Sequence, residues 1–217
     1  AGTANTAGVT RAAQIMKDHF ESIGFTCELV DFGPRVGAGL LARNKPDATR
    51  YDVLFNAHLD TVFPDGTAAA RPFSIEGFLA RGPGCADCKA GVLSIFYALK
   101  MARPEDIERL SIAVAYNPDE ETGSLFSDSW LSALGEKSDC ALVCEAARPN
   151  GELVRARKGI SIYTVKFTGR AAHAGNNPEE GRSALLAAAR FVLEADKLND
   201  FKNGSTITAG IVSAKAR

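Results

Sequence analysis

Apolar and polar positions along the 217-residue chain change period several times, and each change marks an element. Residues 9–23 repeat apolar side chains at helical spacing and stop at Gly24, which predicts an amphipathic helix with a glycine end. Short apolar runs at 27–30, 39–43 and 51–57 predict strands, the last one buried. A second helix is predicted over 89–101, stopped before Pro104, then a strand over 111–116, a short helix around 126–134 and a short strand over 140–144. Near Arg157-Lys158-Gly159 the pattern changes, and residues 160–167 alternate strictly, as a half-exposed strand does. Asn177 is placed to cap a helix with Pro178 first and Glu179 and Glu180 in its first turn, running to about residue 198. A further strand is predicted over 205–212. No internal repeat, low-complexity tract or disordered linker interrupts the series.

The strands matter for what stands at their ends. The run 51–57 leads into His58-Leu59-Asp60, and period-two alternation puts His58 and Asp60 on one side of its C-terminal end, where open α/β sheets place their sites. A ligating histidine commonly gives its second ring nitrogen to a carboxylate, a place Asp60 fits. Taken alone, a strand-end histidine in a polar loop is the commoner reading. Three later clusters reverse it. Gly82-Pro83-Gly84-Cys85-Ala86-Asp87 is a glycine-rich turn that puts one carboxylate at a helix entrance. The strand 111–116 runs into Asp119-Glu120-Glu121, two adjacent glutamates that diverge and so suit two different tasks. The strand 140–144 ends at Glu145. In one mostly parallel sheet these ends converge.

The series His58-Leu59-Asp60-Thr61-Val62, Gly82-Pro83-Gly84-Cys85-Ala86-Asp87-Cys88-Lys89, Asp119-Glu120-Glu121-Thr122-Gly123-Ser124, Glu145 and Gly169-Arg170-Ala171-Ala172-His173-Ala174-Gly175 resembles the co-catalytic zinc family of bacterial glutamate carboxypeptidase, acetylornithine deacetylase and succinyl-diaminopimelate desuccinylase. The spacings look most like the glutamate carboxypeptidase branch, and the resemblance spans nearly the whole chain. It implies an α/β fold: a three-layer α/β/α catalytic domain over residues 1–157 with a mostly parallel sheet, and part of a ferredoxin-like lid and dimerisation domain over 158–217. It also implies two zinc ions, with manganese or cobalt as possible substitutes. Asp87 would bridge them, His58 and Glu145 would complete one, and Glu121 would hold the other. Glu120 would be the general base, Asp60 the support of His58, and His173 an oxyanion donor reaching a partner subunit's site.

The implied activity is hydrolysis of an amide next to a free carboxylate, in a peptide or an N-acyl amino acid, by a homodimer joined through the lid. An acetylornithine-type deacylase is the alternative within the family. In relatives the second zinc takes a histidine from near the C-terminus, whereas the chain has only His19, His58 and His173, so the 217 residues alone are expected to be inactive. His19 lies in the first helical run and reads as a helix-surface residue. Cys88 stands where relatives often have methionine, and Ala90 where they often have glycine.

Composition removes other classes. Lys+Arg 25 against Asp+Glu 26 gives a formal charge of −1, which suggests neither a nucleic-acid nor a membrane-surface partner. No apolar run is long enough to cross a bilayer. The first residues show no signal pattern but read as cut into, so cytoplasm is the default compartment and export stays open. Five cysteines, an odd number, argue against a disulfide framework. Cys85-x-x-Cys88 with Cys140 and Cys144 admits a rival, a four-cysteine zinc site or a redox pair, but thiols leave the carboxylates unaccounted for. A non-catalytic binding module that kept the fold is the other rival, opposed by the completeness of the acidic series.

Overall fold

The computed structural model describes residues 1–148 and 150–214, which form two units, Ala1–Leu153 and Val154–Arg217. In the first, helix α1 (Thr6–Glu21) leads to strands β1 (Thr26–Val30), β2 (Gly39–Arg43) and β3 (Val53–His58). A one-turn helix α2 (Thr67–Ala70) and a two-stranded hairpin, β4 (Ser74–Glu76) and β5 (Leu79–Arg81), follow. Then come α3 (Ala90–Met101), α4 (Pro104–Arg109), β6 (Ile112–Asn117), α5 (Asp128–Glu136) and β7 (Ala141–Val143).

Helix α1 starts three residues before its apolar pattern does, because the Asn5 side chain accepts a hydrogen bond from the Gly8 amide (2.8 Å) and so caps the first turn. The chain does not stop at Pro104 but restarts there: proline takes the first position of α4, with Glu105 and Asp106 behind it. Neither α2 nor the β4–β5 hairpin carries an apolar period, and both went unpredicted.

The main sheet has the order β1-β2-β6-β3-β7. It is mixed rather than mostly parallel: β6, β3 and β7 run parallel, while β1 pairs antiparallel with β2 and β2 with β6. The eight residues between β1 and β2 are enough for an antiparallel return and too few for a crossover. Alternation along the strands sorts the two faces. Ile112, Val114 and Tyr116 of β6 join Leu40 and Ala42 of β2 under Val9, Ala13, Met16 and Phe20 of α1 and Val92, Ile95 and Phe96 of α3. Ala113 and Ala115 join Leu41 and Leu54 beneath Trp130, Leu131 and Leu134 of α5. Helices thus cover both faces, giving three α/β/α layers.

Close packing of α3 on the sheet edge requires Gly91. A Cβ there would lie 1.8 Å from the Cys144 carbonyl oxygen, a backbone atom that cannot rotate away. Gly91→Ala should therefore lower the unfolding free energy by about 3 kcal/mol, the upper range for overpacking. Chemical denaturation would read this directly, and a midpoint equal to wild type would show that α3 can shift freely.

In the second unit, α6 (Ala184–Asp196) is capped by Ser183, whose hydroxyl accepts from the Leu186 amide (3.0 Å). This corrects the expected start at Pro178: residues Pro178–Glu180 form a separate 3-10 turn, and Gly181 leaves helical geometry. Residues 160–167 form no strand, and residues 205–212 contribute only the bridge from Ser205 to Asp200. The period-two pattern is present, but Ile160, Ile162 and Tyr163 are over 80 % exposed, and alternation without a buried face or a partner strand does not hold a ladder. Phe167 and Phe191 pack ring to ring at 5.6 Å.

Candidate metal centre

The C-terminal ends of β6, β3 and β7 lie side by side, and the loops that leave them supply the chemistry. His58 is the last residue of β3 and is buried, as are Asp60 and Asp119. Its Nε2 lies 2.8 Å from Asp87 Oδ1 and 3.6 Å from Glu145 Oε2. Ligand atoms of His58, Asp87, Cys88 and Glu145 all fall within 4.8 Å of one another. Asp87 reaches this point from the turn Cys85–Lys89, where Asp87 and Cys88 leave helical geometry before α3 begins. The Cys88 thiol is engaged with backbone: it accepts from the His58 amide (3.2 Å) and donates to the His58 carbonyl (3.3 Å). It ties the turn to β3, leaving the imidazole and two carboxylates as the donor set.

Asp60 holds the other side of the imidazole, 3.2 Å from Nδ1. The same carboxylate accepts from the backbone amides of Glu120 (3.1 Å) and Glu121 (3.2 Å) and from the Thr3 hydroxyl (2.6 Å). Asp119 closes the glutamate turn from its other end, accepting from the Phe126 amide (2.7 Å) and the Ser127 hydroxyl (2.5 Å). Two buried carboxylates thus fix the backbone that carries Glu120 and Glu121. Glu121 turns back to accept from the Val62 amide (3.1 Å). Lys89 donates to the Asp60 carbonyl (3.3 Å).

Charge is crowded here. Burial raises the Glu120 carboxyl above the usual range; His58 opposes this, and Glu145, Glu121 and Asp60 add to it. Burial also raises Glu121, with Asp87 adding to it. For His58, burial would lower the pKa, but the hydrogen bonds to Asp60, Cys88 and Glu145 outweigh it, and the imidazole is held well above its ordinary value. Asp60 is held low despite its burial, by His58 and Thr3. Lys89 is lowered by burial. Two carboxylates, Asp87 and Glu145, gathered against one imidazole form a nitrogen and oxygen donor set that fits a divalent cation.

His173 belongs to the second unit, in an exposed turn where its Nδ1 accepts from the amides of Gly175 (3.1 Å) and Asn176 (3.2 Å), leaving the proton on Nε2. The structure therefore brings His58, Asp60, Asp87, Glu120, Glu121 and Glu145 together in the first unit. His19 packs its ring against Phe96 at 5.1 Å, on the helix side of the core. The cysteine rival finds no support among the described residues, where Cys88 alone of the thiols joins a ligand group. Sequence reasoning missed Thr3, Lys89 and Asp119 as parts of this network. Asp119 had a signal, being next to the glutamate pair, but Thr3 had none. A cavity of about 680 Å³ lies elsewhere, beside α1 and β1, and lacks such a ligand group.

Comparison with known proteins places the chain in a family. Over 202 residues the chain is 32% identical to carboxypeptidase G2 of Pseudomonas sp. (strain RS-16), covering 92% of this chain and 48% of the relative. It is 30% identical over 170 residues to N-acetyl-L-citrulline deacetylase of Xanthomonas campestris, covering 77% and 43%. The chain spans about half the length of the curated relatives it matches. Among solved structures, a tripeptidase from Staphylococcus aureus superposes with a TM-score of 0.60 at 18% identity, over 90% of this chain and 52% of the other. The fold is likewise that of aminopeptidase PepT from Bacillus cereus, with a TM-score of 0.59 at 19% identity, over 88% and 52%. The sequence model of peptidase family M20/M25/M40 matches residues 54–212, which include every residue of the ligand group, and the chain belongs to that family.

Proposed function

We propose that this chain carries the reaction centre of a metal-dependent hydrolase that cleaves an amide bond next to a free carboxylate. The observation that carries the reading is the His58–Asp87–Glu145 cluster, with the Glu120 backbone held by Asp60, the carboxylate that also holds the His58 ring. Asp87 would be shared by two zinc ions, His58 and Glu145 would belong to one, and Glu121 to the other. Bound zinc supplies Lewis acidity towards the scissile carbonyl and lowers the pKa of water. Glu120, its carboxyl raised by burial, takes the proton of the attacking water and returns it to the leaving amine. Asp60 keeps the His58 ring oriented with Nε2 towards the cluster. His173, donating from Nε2, would stabilise the oxyanion in a homodimer joined through the second unit.

A carboxypeptidase and a deacetylase of an N-acetyl amino acid among the relatives support this substrate class. The second of these favours an N-acyl amino acid deacylase as the narrower alternative. The test is an assay of the full-length gene product with zinc on peptides ending in glutamate and on N-acyl amino acids, each beside its carboxamide-capped counterpart. Hydrolysis should stop with a chelator, return with zinc, and fall by about a hundredfold or more on capping, since a site built for a polar group rejects its absence. Chelator-resistant turnover, or equal rates on capped substrates, would overturn the proposal.

A further inference from the structure

We infer that Thr3 is a positioning residue of the reaction centre, acting through Asp60 on both the imidazole and the glutamate pair. The consequence for metal binding rests on the proposed function; the geometry does not. Asp60 is buried, and each of its oxygens holds two donors. Oδ1 takes His58 Nδ1 and the Glu120 amide, and Oδ2 takes the Glu121 amide and the Thr3 hydroxyl. The Thr3 bond, at 2.6 Å, is the shortest of the four and is charge-assisted. It is also the one donor that comes from outside the elements that carry the site's other residues, 57 positions away in sequence. Without it, Oδ2 keeps one donor and the carboxylate is held less firmly against rotation about its Cβ–Cγ bond. That motion would be felt at His58 and at Glu120 and Glu121 together, because one rigid group orients all three.

The segment that presents Thr3 is held in place at several points. Thr61 donates to the Ala1 carbonyl (3.1 Å), Asn5 donates from its side chain to Asp65 (2.6 Å), and the Asn5 amide bonds the Gly2 carbonyl (2.9 Å). Gly2 runs so close to the loop after β3 that a Cβ would lie 2.8 Å from the Phe63 carbonyl oxygen. Thr3 lies outside residues 54–212, the stretch that matches the family.

The experiment compares Thr3→Val, which keeps shape and removes the donor, with Thr3→Ser, which restores it, and with Asn5→Ala, which loosens the same segment without touching Asp60. Hydrogen exchange is followed by mass spectrometry on the metal-free full-length protein, and zinc affinity by calorimetry. Thr3→Val should speed exchange in the peptide spanning Glu120 and Glu121 and weaken zinc binding about tenfold, as loss of a support behind a ligand does. It should lower kcat more than it raises KM, and Thr3→Ser should recover all three. Asn5→Ala should lower stability through the α1 cap and, by loosening the segment that presents Thr3, speed exchange at Glu120–Glu121 by less than Thr3→Val does. Unchanged exchange in Thr3→Val, or an effect in Asn5→Ala equal to or larger than that of Thr3→Val, would overturn the inference even if zinc binds normally. Faster exchange at Glu120–Glu121 in a protein that binds no zinc would uphold Thr3's hold on Asp60 and refute the metal-hydrolase reading instead.

Discussion

Glu120→Gln in the full-length protein should retain zinc with near wild-type affinity while turnover falls by about 10²- to 10⁴-fold, the range that proton transfer by a positioned group contributes. The argument is one of placement. Glu120 is anchored by its amide to Asp60, and its carboxyl, raised by burial, feels both His58 and Glu145 of the cluster. Replacing its carboxylate by an amide keeps size and hydrogen bonding but removes the ability to accept and return a proton. Because the interaction lost is made only along the reaction path, kcat and kcat/KM should fall together. Glu121 provides the contrast. Its carboxylate already turns towards Val62, and its pKa is raised by burial and by Asp87, the residue assigned to bridge the metals. Glu121→Gln should therefore lower zinc stoichiometry or affinity first and activity as a consequence. Calorimetry beside steady-state kinetics on both variants separates the two roles, and equal zinc loss from both would refute the division.

The proposed division rests on adjacent residues after a strand diverging, and β3 was legible because residues 51–57 are mostly apolar, although only Tyr51, Leu54 and Ala57 among them are buried. The same logic found β6 and β7 and placed His58, Glu120 and Glu145 on neighbouring strand ends. What the sequence did not reveal has physical causes. The antiparallel half of the sheet depends on loop length and tertiary packing, which period-two patterning does not encode. The β4–β5 hairpin exposes Phe73, Ile75 and Phe78, so its side chains give no inside-outside alternation to read. Residues 160–167 carried the alternation without a face to bury, and pattern alone overstated them. Thr3 and Asp119 act through hydrogen bonds to buried groups, and a hydroxyl or carboxylate looks the same in sequence whether it meets water or a buried partner. Gly91 was visible as a glycine, but the carbonyl of Cys144 that demands it comes from a strand end 53 residues further on.

Zinc should stabilise this protein more as pH rises, and His58→Ala should remove most of that dependence along with most of the binding. In the metal-free protein the His58 pKa is raised, so the stability its protonated ring contributes is present below the unfolded value of about 6.5 and is lost as pH rises through the higher folded value. Glu120 and Glu121, also raised, act in the same sense from about pH 4.3 upward. Asp60, held low, loses its contribution only on the acid side. Crowded carboxylates therefore make the empty centre less comfortable as pH climbs through neutrality. Metal reverses the sign: a proton on Nε2 competes with zinc for the same lone pair, so binding releases it and affinity grows with pH. One donor's quarter share of the roughly 10–16 kcal/mol that four-ligand zinc sites supply is about 2.5–4 kcal/mol, so His58→Ala should weaken binding about 100- to 1000-fold. The measurement is the zinc-induced rise in denaturation midpoint at pH 6, 7 and 8, with proton release read by calorimetry in buffers of different ionisation enthalpy. A zinc effect that is flat in pH, or one that survives His58→Ala undiminished, would mean that the ion sits away from His58 and that the ligand set proposed here is wrong.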